Sequence, residues 1–417
     1  MNKKIIPIFA LALTACTLTA CSGSGSANAK KPLIFFNRQP SNTATGEIDK
    51  TTMNFSDKTY YVGFDAAGGG KVQGDMIVDY LKKNIATVDK DGDHRIGYVL
   101  AIGDSGHNDS KARTQGIREA LGTWNGTTDP GANNTKEGKL TINNVEYTVV
   151  ELASKEMKND AGATWDASTA GNAFGGWYET YKSQDLEFVV SNNDGMAMGM
   201  LGNTSYPKGL PIFGYDANED ALASIKEGGL TGTVTQNVDA QAAGTLQLIR
   251  NMLDDVTGED VIKKGISEKD KYGNKISAEM KYVKDTKALL ALNAPIVKEN
   301  VESYYNGKVV RDAGIKQTEA PKKKVLLTLY NSSDNFLSSS YKPALKYYAG
   351  LMNLDLNIVE GDGQSEPLRR LSDHHHGEPE YHRSQMVRRP DHCTSAGTGK
   401  HGGHGGRERA ESDSLSF

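Results

Sequence analysis

The sequence predicts an α/β protein with two domains. The chain has 417 residues, which is longer than a domain with a single hydrophobic core usually is, so two compact domains are expected. From residue 32 onward, short apolar runs alternate with helical stretches, which is typical of buried parallel strands connected by helices. Apolar residues at helical spacing, such as Val72, Met76 and Tyr80, indicate those helices.

The start of the chain predicts export. Positive residues, an apolar stretch and small residues follow one another, as in a signal peptide spanning 1–21. Two Leu-Thr-Ala-Cys segments, ending at Cys16 and Cys21, are similar to the bacterial lipoprotein cleavage box. We expect the lipid on Cys21, because the Ser/Gly-rich segment 22–31 is a flexible tether. The alternative is an ordinary secretory signal. After cleavage only Cys393 remains, so no intrachain disulfide is expected.

The charge balance excludes nucleic acid as the expected partner. Lys and Arg number 48 and Asp and Glu number 52, which leaves a net charge of −4. This composition has no basic excess that would neutralise phosphates. No long apolar run follows the leader, so we expect membrane contact through the lipid anchor alone.

Each predicted strand is a short apolar run. The first group of strands is 32–36, 96–101, 147–150, 188–190 and 210–214. Residues 306–323 contain few large apolar side chains and are predicted to be a linker. A second unit follows it, with a strand at 324–330, a helix at 336–352 and a strand at 356–359.

The C-terminal segment 366–417 breaks this pattern. It has no apolar periodicity and holds seven of the nine histidines, so it is predicted to be an aberrant, disordered tail. A frameshift near Glu366 explains such a composition, and a genuine His-rich metal-binding tail is the alternative.

Polar residues follow five of the predicted strands. Their amide, carboxylate, imidazole and guanidinium groups suit vicinal sugar hydroxyls, which both donate and accept hydrogen bonds. The alternative is ordinary turn and capping chemistry. The same bias at five strand ends favours a site, because the carboxyl ends of parallel strands converge. The segments are 37–40, 103–109, 192–194, 215–216 and 333–336.

In these segments the chain resembles the periplasmic galactose/glucose-binding proteins of ABC uptake systems. The resemblance covers most of residues 32–365. It implies a type I periplasmic binding protein fold, with two doubly wound, Rossmann-like lobes joined by a hinge. The matching stretches are 34–40, 60–63, 106–114, 165–166, 192–199, 211–216 and 334–336.

The resemblance also implies roles for individual residues. Trp165 and Phe336 would sandwich the pyranose ring, whose C–H faces are apolar. Gln236 stands where the family usually has a further site Asn. The residues that would hydrogen-bond the hexose are Asn37, His107, Asp109, Arg113, Asn193, Asp216 and Asp334.

The order of the matching stretches differs from the family. The strand and Asp-Asn-Phe turn that usually open the mature protein lie here at 324–336, so the chain is predicted to be circularly permuted. A protein tolerates circular permutation when an exposed linker can join the former termini. The predicted lobes are 32–65 with 237–294 and 324–365 for the first, and 66–236 with 295–305 for the second.

A calcium loop is predicted at residues 89–97. Asp89, Asp91 and Asp93 stand at positions 1, 3 and 5 of an EF-hand-like spacing, and Arg95 at position 7. By resemblance, Glu187 would add a distant carboxylate. His94 at position 6 and Gly97 at position 9 depart from the pattern, and an acidic solvent loop is the alternative.

The function implied is capture of D-glucose or D-galactose by a monomeric, non-enzymatic protein for an ABC permease, with a chemoreceptor as a further partner. Binding of another sugar such as ribose is one alternative. A GDSL-type esterase is another, since Gly103-Asp104-Ser105 follows a strand, although its required His would fall in 373–376. A sugar-responsive repressor would lack the signal peptide and carry a helix-turn-helix.

Overall fold

A computed structural model describes residues 31–40, 48–126, 137–266, 280–311, 315, 317–329 and 336–360. Both lipidation candidates, Asp334 and the tail 366–417 lie outside this part of the chain. None of the helices within it is long and apolar enough to cross a membrane.

The described residues form thirteen strands and nine α-helices. The strands are β1 (Leu33–Phe36), β2 (Thr59–Phe64), β3 (Arg95–Ile102), β4 (Glu137–Ile142), β5 (Val145–Glu156), β6 (Leu186–Ser191), β7 (Ile212–Phe213), β8 (Gly232–Thr235), β9 (Met280–Val283), β10 (Ala288–Ala291), β11 (Ala294–Val297), β12 (Lys323–Leu329) and β13 (Leu354–Glu360). The helices are α1 (Lys50–Met53), α2 (Ala66–Val88), α3 (Asn108–Ala120), α4 (Ala167–Tyr181), α5 (Asp194–Leu201), α6 (Glu219–Glu227), α7 (Val238–Leu253), α8 (Asp260–Lys263) and α9 (Lys342–Leu351).

The larger sheet has seven strands in the order β11-β8-β7-β6-β3-β5-β4. The five inner strands run parallel, and the edge strands β11 and β4 are antiparallel to their neighbours. Successive residues of β3 pack into different hydrophobic clusters, with Leu100 in one and Ala101 in the other. Helices therefore cover both faces of this sheet, which explains why its strands read as continuous apolar runs.

A second sheet has four strands in the order β1-β2-β10-β9, of which only β9 is antiparallel to its neighbour. β12 and β13 form a separate parallel pair joined through α9. This unit packs into the same hydrophobic cluster as β2, β10 and α7. The ring of Tyr341, which precedes α9, stacks on Phe36 of β1 with 5.4 Å between the ring centroids.

Within the described ranges, three connections cross between the two larger sheets. Asp65 joins β2 to α2, Gln236 and Asn237 join β8 to α7, and Leu292 and Asn293 join β10 to β11. Most predicted strands are present with shifted ends. The predicted strand at 210–214 is reduced to the two residues of β7, and the predicted helix at 336–352 opens with a π-helical turn, Phe336–Tyr341.

Candidate functional site

Arg113 lies at the centre of the polar strand ends. Its guanidinium Nη1 donates to the backbone oxygen of Asn192 at 2.7 Å and lies 3.3 Å from Oδ1 of Asp216. Its Cζ lies 3.7 Å from the centroid of the Tyr215 ring. The residue is only 3% exposed, so its charge is held by these partners rather than by solvent.

Helix α3 and its N-cap His107 carry three of the predicted site residues. It begins after His107 because Nδ1 of that ring accepts a hydrogen bond from the amide of Asp109 at 3.2 Å. Nδ1 therefore lacks a proton in the neutral ring, and Nε2 carries it. Burial lowers the pKa of His107; the charge of Asp109 opposes this, while Arg38 and Arg113 lower the pKa further.

Asn192 is a central side chain that the sequence analysis did not assign to the site. Its Oδ1 accepts from the amide of Gly103 at 3.1 Å, from Ser110 at 2.9 Å and from Thr114 at 3.1 Å. It thereby fastens the buried face of α3 to the ends of β3 and β6. The predicted Asn193 instead caps α5, because its Oδ1 accepts from the amide of Met196 at 2.9 Å.

Asp216 completes the buried polar centre. Its backbone has a φ of 118°, and Nε2 of Gln236 donates to its Oδ1 at 2.5 Å. The neighbouring Asp194 is fully buried and accepts from Thr233 at 2.7 Å and from the amide of Asn218 at 2.8 Å. Burial, and then the charge of Asp216, raise the pKa of Asp194 well above its ordinary value. Asp194 thus holds the loop that presents Asp216.

Of the two predicted stacking residues, Trp165 lies beside this centre. Its ring centroid is 5.9 Å from that of His107 and 5.6 Å from Cζ of Arg113. A Cβ atom on Gly103 would lie 2.2 Å from the Trp165 ring, so the glycine allows this close packing. Phe336 packs edge-on against Tyr341 at 6.0 Å, on the side of β1.

Asn37 follows β1 with a φ of 58°, and its carbonyl accepts from the Tyr61 hydroxyl at 3.0 Å. The charge of its neighbour Arg38 lowers the pKa of His107, which follows β3 of the other sheet. Burial, and then Asp109, raise the pKa of Tyr61. Charged groups at the polar end of each sheet therefore act on groups at the polar end of the other. The structure places Asn37, His107, Asp109, Arg113, Trp165, Asp216 and Gln236 around this region.

Several buried polar atoms in this region have no hydrogen-bond partner among the described residues. Three of them are Nε of Arg113, Nδ2 of Asn192 and Oε1 of Gln236. An unpaired buried polar atom costs about 1–3 kcal/mol. Two donors and one acceptor around Asp216 therefore suit a ligand that both accepts and donates hydrogen bonds.

The acidic loop at the opposite end of β3 is arranged as a compact carboxylate cluster. Ligand oxygens of Asp89, Asp91 and Asp93 all lie within 4.8 Å of one another. Asp89 accepts from the amide of Gly92 at 2.8 Å, so the loop curls around its own carboxylates. His94 has a φ of 63°, which is the left-handed conformation that position 6 of such loops requires.

Glu187 approaches this loop and accepts from the amide of Gly97 at 3.3 Å. Burial, with a smaller contribution from the nearby carboxylates Asp89, Asp185 and Asp91, raises the pKa of Glu187 to about 8 against the opposing effect of the Gly97 amide. The guanidinium of Arg95 pairs with Glu137 at 3.0 Å and with Asp185 at 3.4 Å, so its backbone carbonyl is the group left for a cation. Five oxygen-bearing residues fit a hard cation such as Ca²⁺.

Ser105, the nucleophile of the esterase alternative, is engaged by a carboxylate. Its hydroxyl donates to Oε1 of Glu156 at 2.9 Å, and its amide donates to the same oxygen at 2.7 Å. The serine of the Ser-His-Asp arrangement in that alternative would instead donate its proton to a histidine. The predicted partner segment 373–376 lies outside the described residues.

Comparison with known proteins agrees with this geometry. A family model described as periplasmic binding protein domain matches residues 26–259, and a second of the same description matches 322–376. The D-galactose/methyl-galactoside binding periplasmic protein MglB of Haemophilus influenzae is 34% identical over 222 residues, which are 53% of this chain and 56% of that protein. The ribose import binding protein RbsB of Bacillus subtilis is 30% identical over 139 residues, 33% of this chain and 42% of that one.

The chain thus spans about half the length of the curated relatives it matches, or less. A solved ABC transporter periplasmic solute binding protein from Actinobacillus succinogenes with bound D-allose is 16% identical, with a TM-score of 0.41 over 66% of this chain and 72% of that chain. The first family match and the parallel sheets confirm the predicted type I periplasmic binding protein fold. Since this match covers more than half of the chain, the protein belongs to the periplasmic binding protein domain family.

Proposed function

We propose that the protein binds a monosaccharide, D-glucose or D-galactose, and delivers it to the permease of an ABC uptake system. The observation that carries this proposal is the set of unpaired polar atoms on Arg113, Asn192 and Gln236 beside Asp216. Hydroxyl groups satisfy such a set, because each hydroxyl both donates and accepts. The galactose-binding name of the Haemophilus influenzae relative supports the choice of hexose.

The surrounding side chains suit a pyranose. Nε2–H of His107 is a donor, Asp109 and Asp216 are acceptors, and Trp165 offers an apolar ring face for the C–H groups of the sugar. Asp334 is the further acceptor that we propose from the sequence. Gln236 is one methylene longer than the Asn usual in the resembling family, and it reaches Asp216 directly.

Isothermal titration with a panel of sugars tests this proposal. D-Glucose and D-galactose should bind more tightly than ribose, allose or myo-inositol, and the same preparation should hydrolyse no ester. Preferential binding of ribose would favour the alternative ligand. The absence of binding to any sugar, or measurable ester hydrolysis, would contradict the proposed function.

Export and anchoring form a second part of the proposal. We infer a periplasmic protein held to the membrane by a lipid on Cys21, with no other membrane contact and no nucleic-acid partner. Labelling with a radioactive fatty acid in Cys21→Ser and Cys16→Ser variants tests this. We expect loss of label in Cys21→Ser alone. Loss of label in Cys16→Ser alone would assign the lipid to Cys16. We also propose that a chemoreceptor recognises the protein, which a pull-down assay tests. We propose a monomeric state, which light scattering tests.

We also propose that the chain is circularly permuted, with the two predicted lobes and the 306–323 linker. The second family match lies behind the first, and the β12-α9-β13 unit shares a hydrophobic cluster with β2 and β10. A rearranged chain, with 324–365 moved in front of residue 32, should fold and bind the same sugar. A rearranged chain that stays unfolded would count against permutation.

A structural calcium ion is the last part of the proposal. The carboxylates of Asp89, Asp91, Asp93 and Glu187 and the carbonyl of Arg95 would hold it. The ion would neutralise a cluster of like charges and tie the start of β3 to β6.

A further inference from the structure

A chain of hydrogen bonds connects two of the crossings between the sheets to the side chain of Tyr215. The Tyr215 hydroxyl donates to Oδ1 of Asn293 at 2.7 Å, and Nδ2 of Asn293 donates to the backbone oxygen of Asp65 at 2.7 Å. The directions are fixed, because the carbonyl of Asp65 can only accept. Burial keeps the pKa of Tyr215 above its ordinary value, so the hydroxyl retains its proton.

The same tyrosine supports the binding centre. Its ring is fully buried, and the guanidinium of Arg113 lies 3.7 Å from its centroid. Arg113 in turn contacts Asp216 and the backbone of Asn192. The position of the ring therefore supports the cation that holds Asp216, since a buried cation–π contact weakens when the ring shifts.

The hydroxyl end of Tyr215 packs closely against the start of α2. A Cβ atom on Gly69, in the first turn of α2, would lie 1.9 Å from the Tyr215 hydroxyl oxygen and 3.1 Å from Cγ of Asn293. Helix α2 starts at the crossing residue Asp65, which is its N-cap. The start of α2, the β10–β11 crossing and Tyr215 thus form one tightly packed unit.

We propose that Tyr215 and Asn293 are positioning residues that couple the Arg113 centre to the crossings between the sheets. The hydrogen bonds of Asn293 to Asp65 and to Tyr215 hold the two crossings and the ring in the arrangement in which Arg113 and Asp216 are set for the ligand. The inference rests on the proposed sugar binding, and it adds residues that would not touch the sugar. Loss of the bond reduces the fraction of molecules that are competent to bind, and the apparent affinity falls by that fraction.

The test compares Tyr215→Phe, Asn293→Ala and the double variant, with Tyr206→Phe as the matched control. Tyr206 also donates its hydroxyl to an oxygen atom, the backbone carbonyl of Leu210 at 3.0 Å, but its ring packs on Phe174 rather than on Arg113. Glucose or galactose affinity is measured by titration calorimetry. We expect about a five- to twentyfold loss in each single variant, no further loss in the double variant, and no loss in the control.

Amide hydrogen exchange of the ligand-free protein is the second measurement. Exchange at residues 65–69 and 293–294 should accelerate in Tyr215→Phe and Asn293→Ala, and remain as in the wild type in Tyr206→Phe. If the wild type binds no sugar, the proposed function fails while the exchange result still tests the coupling. Wild-type affinity and exchange in both single variants, or fully additive losses in the double variant, would overturn the inference.

Discussion

Nη1 of Arg113 lies 3.3 Å from Oδ1 of Asp216, and both side chains are almost completely excluded from solvent. Arg113 comes from the first turns of α3, whereas Asp216 follows β7. The pair therefore joins α3 to the loop after β7 at the carboxyl edge of the seven-stranded sheet. The buried Asp194 lies close enough to Asp216 for the charge of Asp216 to raise the pKa of Asp194, whereas Arg113 pairs with Asp216.

Arg113→Met should abolish sugar binding and destabilise the protein. Removing one member of a buried ion pair leaves the other charge without a partner, which costs about 3–5 kcal/mol. Urea denaturation measures the stability, and calorimetric titration the binding. Arg250→Met is the matched control, because Arg250 is also buried but pairs with Asp254 at 2.7 Å outside the site. Unchanged sugar affinity in Arg113→Met, or equal loss of affinity in the control, would contradict this assignment.

Much of the fold could be predicted from the sequence because the buried strands are visible in it as short apolar runs. The apolar run at β3 is buried on both faces, and a short run of this kind between turn residues is typical of an inner parallel strand. Within the described ranges, β12 pairs with β13 and joins neither larger sheet, and apolar patterning does not specify which strands pair. Likewise, the single π-helical turn at Phe336–Tyr341 follows from local packing and leaves no periodic signature.

Within the site, the sequence identified charged residues better than the residues that support them. Arg113 and Asp216 stand out by type and by their place at strand ends. Asn192 was passed over for its neighbour Asn193, because only the burial of the side chain distinguishes the two. Tyr215 and Asn293 lie 78 positions apart, and their hydrogen bond arises only when the two sheets are connected in space.

Asn192→Ala should cost far more than Asn193→Ala. The first change leaves the amide of Gly103 and the hydroxyls of Ser110 and Thr114 without their acceptor, for an expected loss of about 2–4 kcal/mol. The second removes one helix cap, worth about 1 kcal/mol. Chemical denaturation of both variants measures the difference. Equal destabilisation by the two changes would show that Asn192 does not organise α3.

The lowered pKa of His107 predicts acid sensitivity. The unfolded chain takes up a proton on this ring near pH 6.5, while the folded protein does so only at lower pH. The stability contributed by neutral His107 is therefore complete above about pH 6.5 and is lost as pH falls from there towards the folded pKa. Sugar affinity should decline in the same range, because protonated Nδ1 can no longer accept from the amide of Asp109.

Titrations between pH 5 and 8 test this, with two variants at position 107. His107→Asn keeps an acceptor for the cap and should flatten the pH dependence of stability. His107→Ala loses the acceptor as well and should cost about 1 kcal/mol more at every pH. The same pH dependence in His107→Asn as in the wild type would assign the titration to another group.

Calcium should stabilise the protein through the acidic loop, and chelation should destabilise it. An ion that binds only the folded state contributes about 2.7 kcal/mol at a concentration one hundredfold above its Kd. Asp93→Asn should weaken the effect without disturbing the loop, since the new amide oxygen can replace the carboxylate oxygen that accepts from the amide of Arg95 at 2.7 Å.

Asp75→Asn, at an exposed acid paired with Lys71 on α2, is the matched control and should respond to calcium as the wild type does. Thermal denaturation with millimolar calcium, magnesium or chelator measures the shift. An unchanged melting temperature with calcium, or an equal response in Asp93→Asn, would mean that the carboxylates form a solvent-exposed turn rather than a metal site.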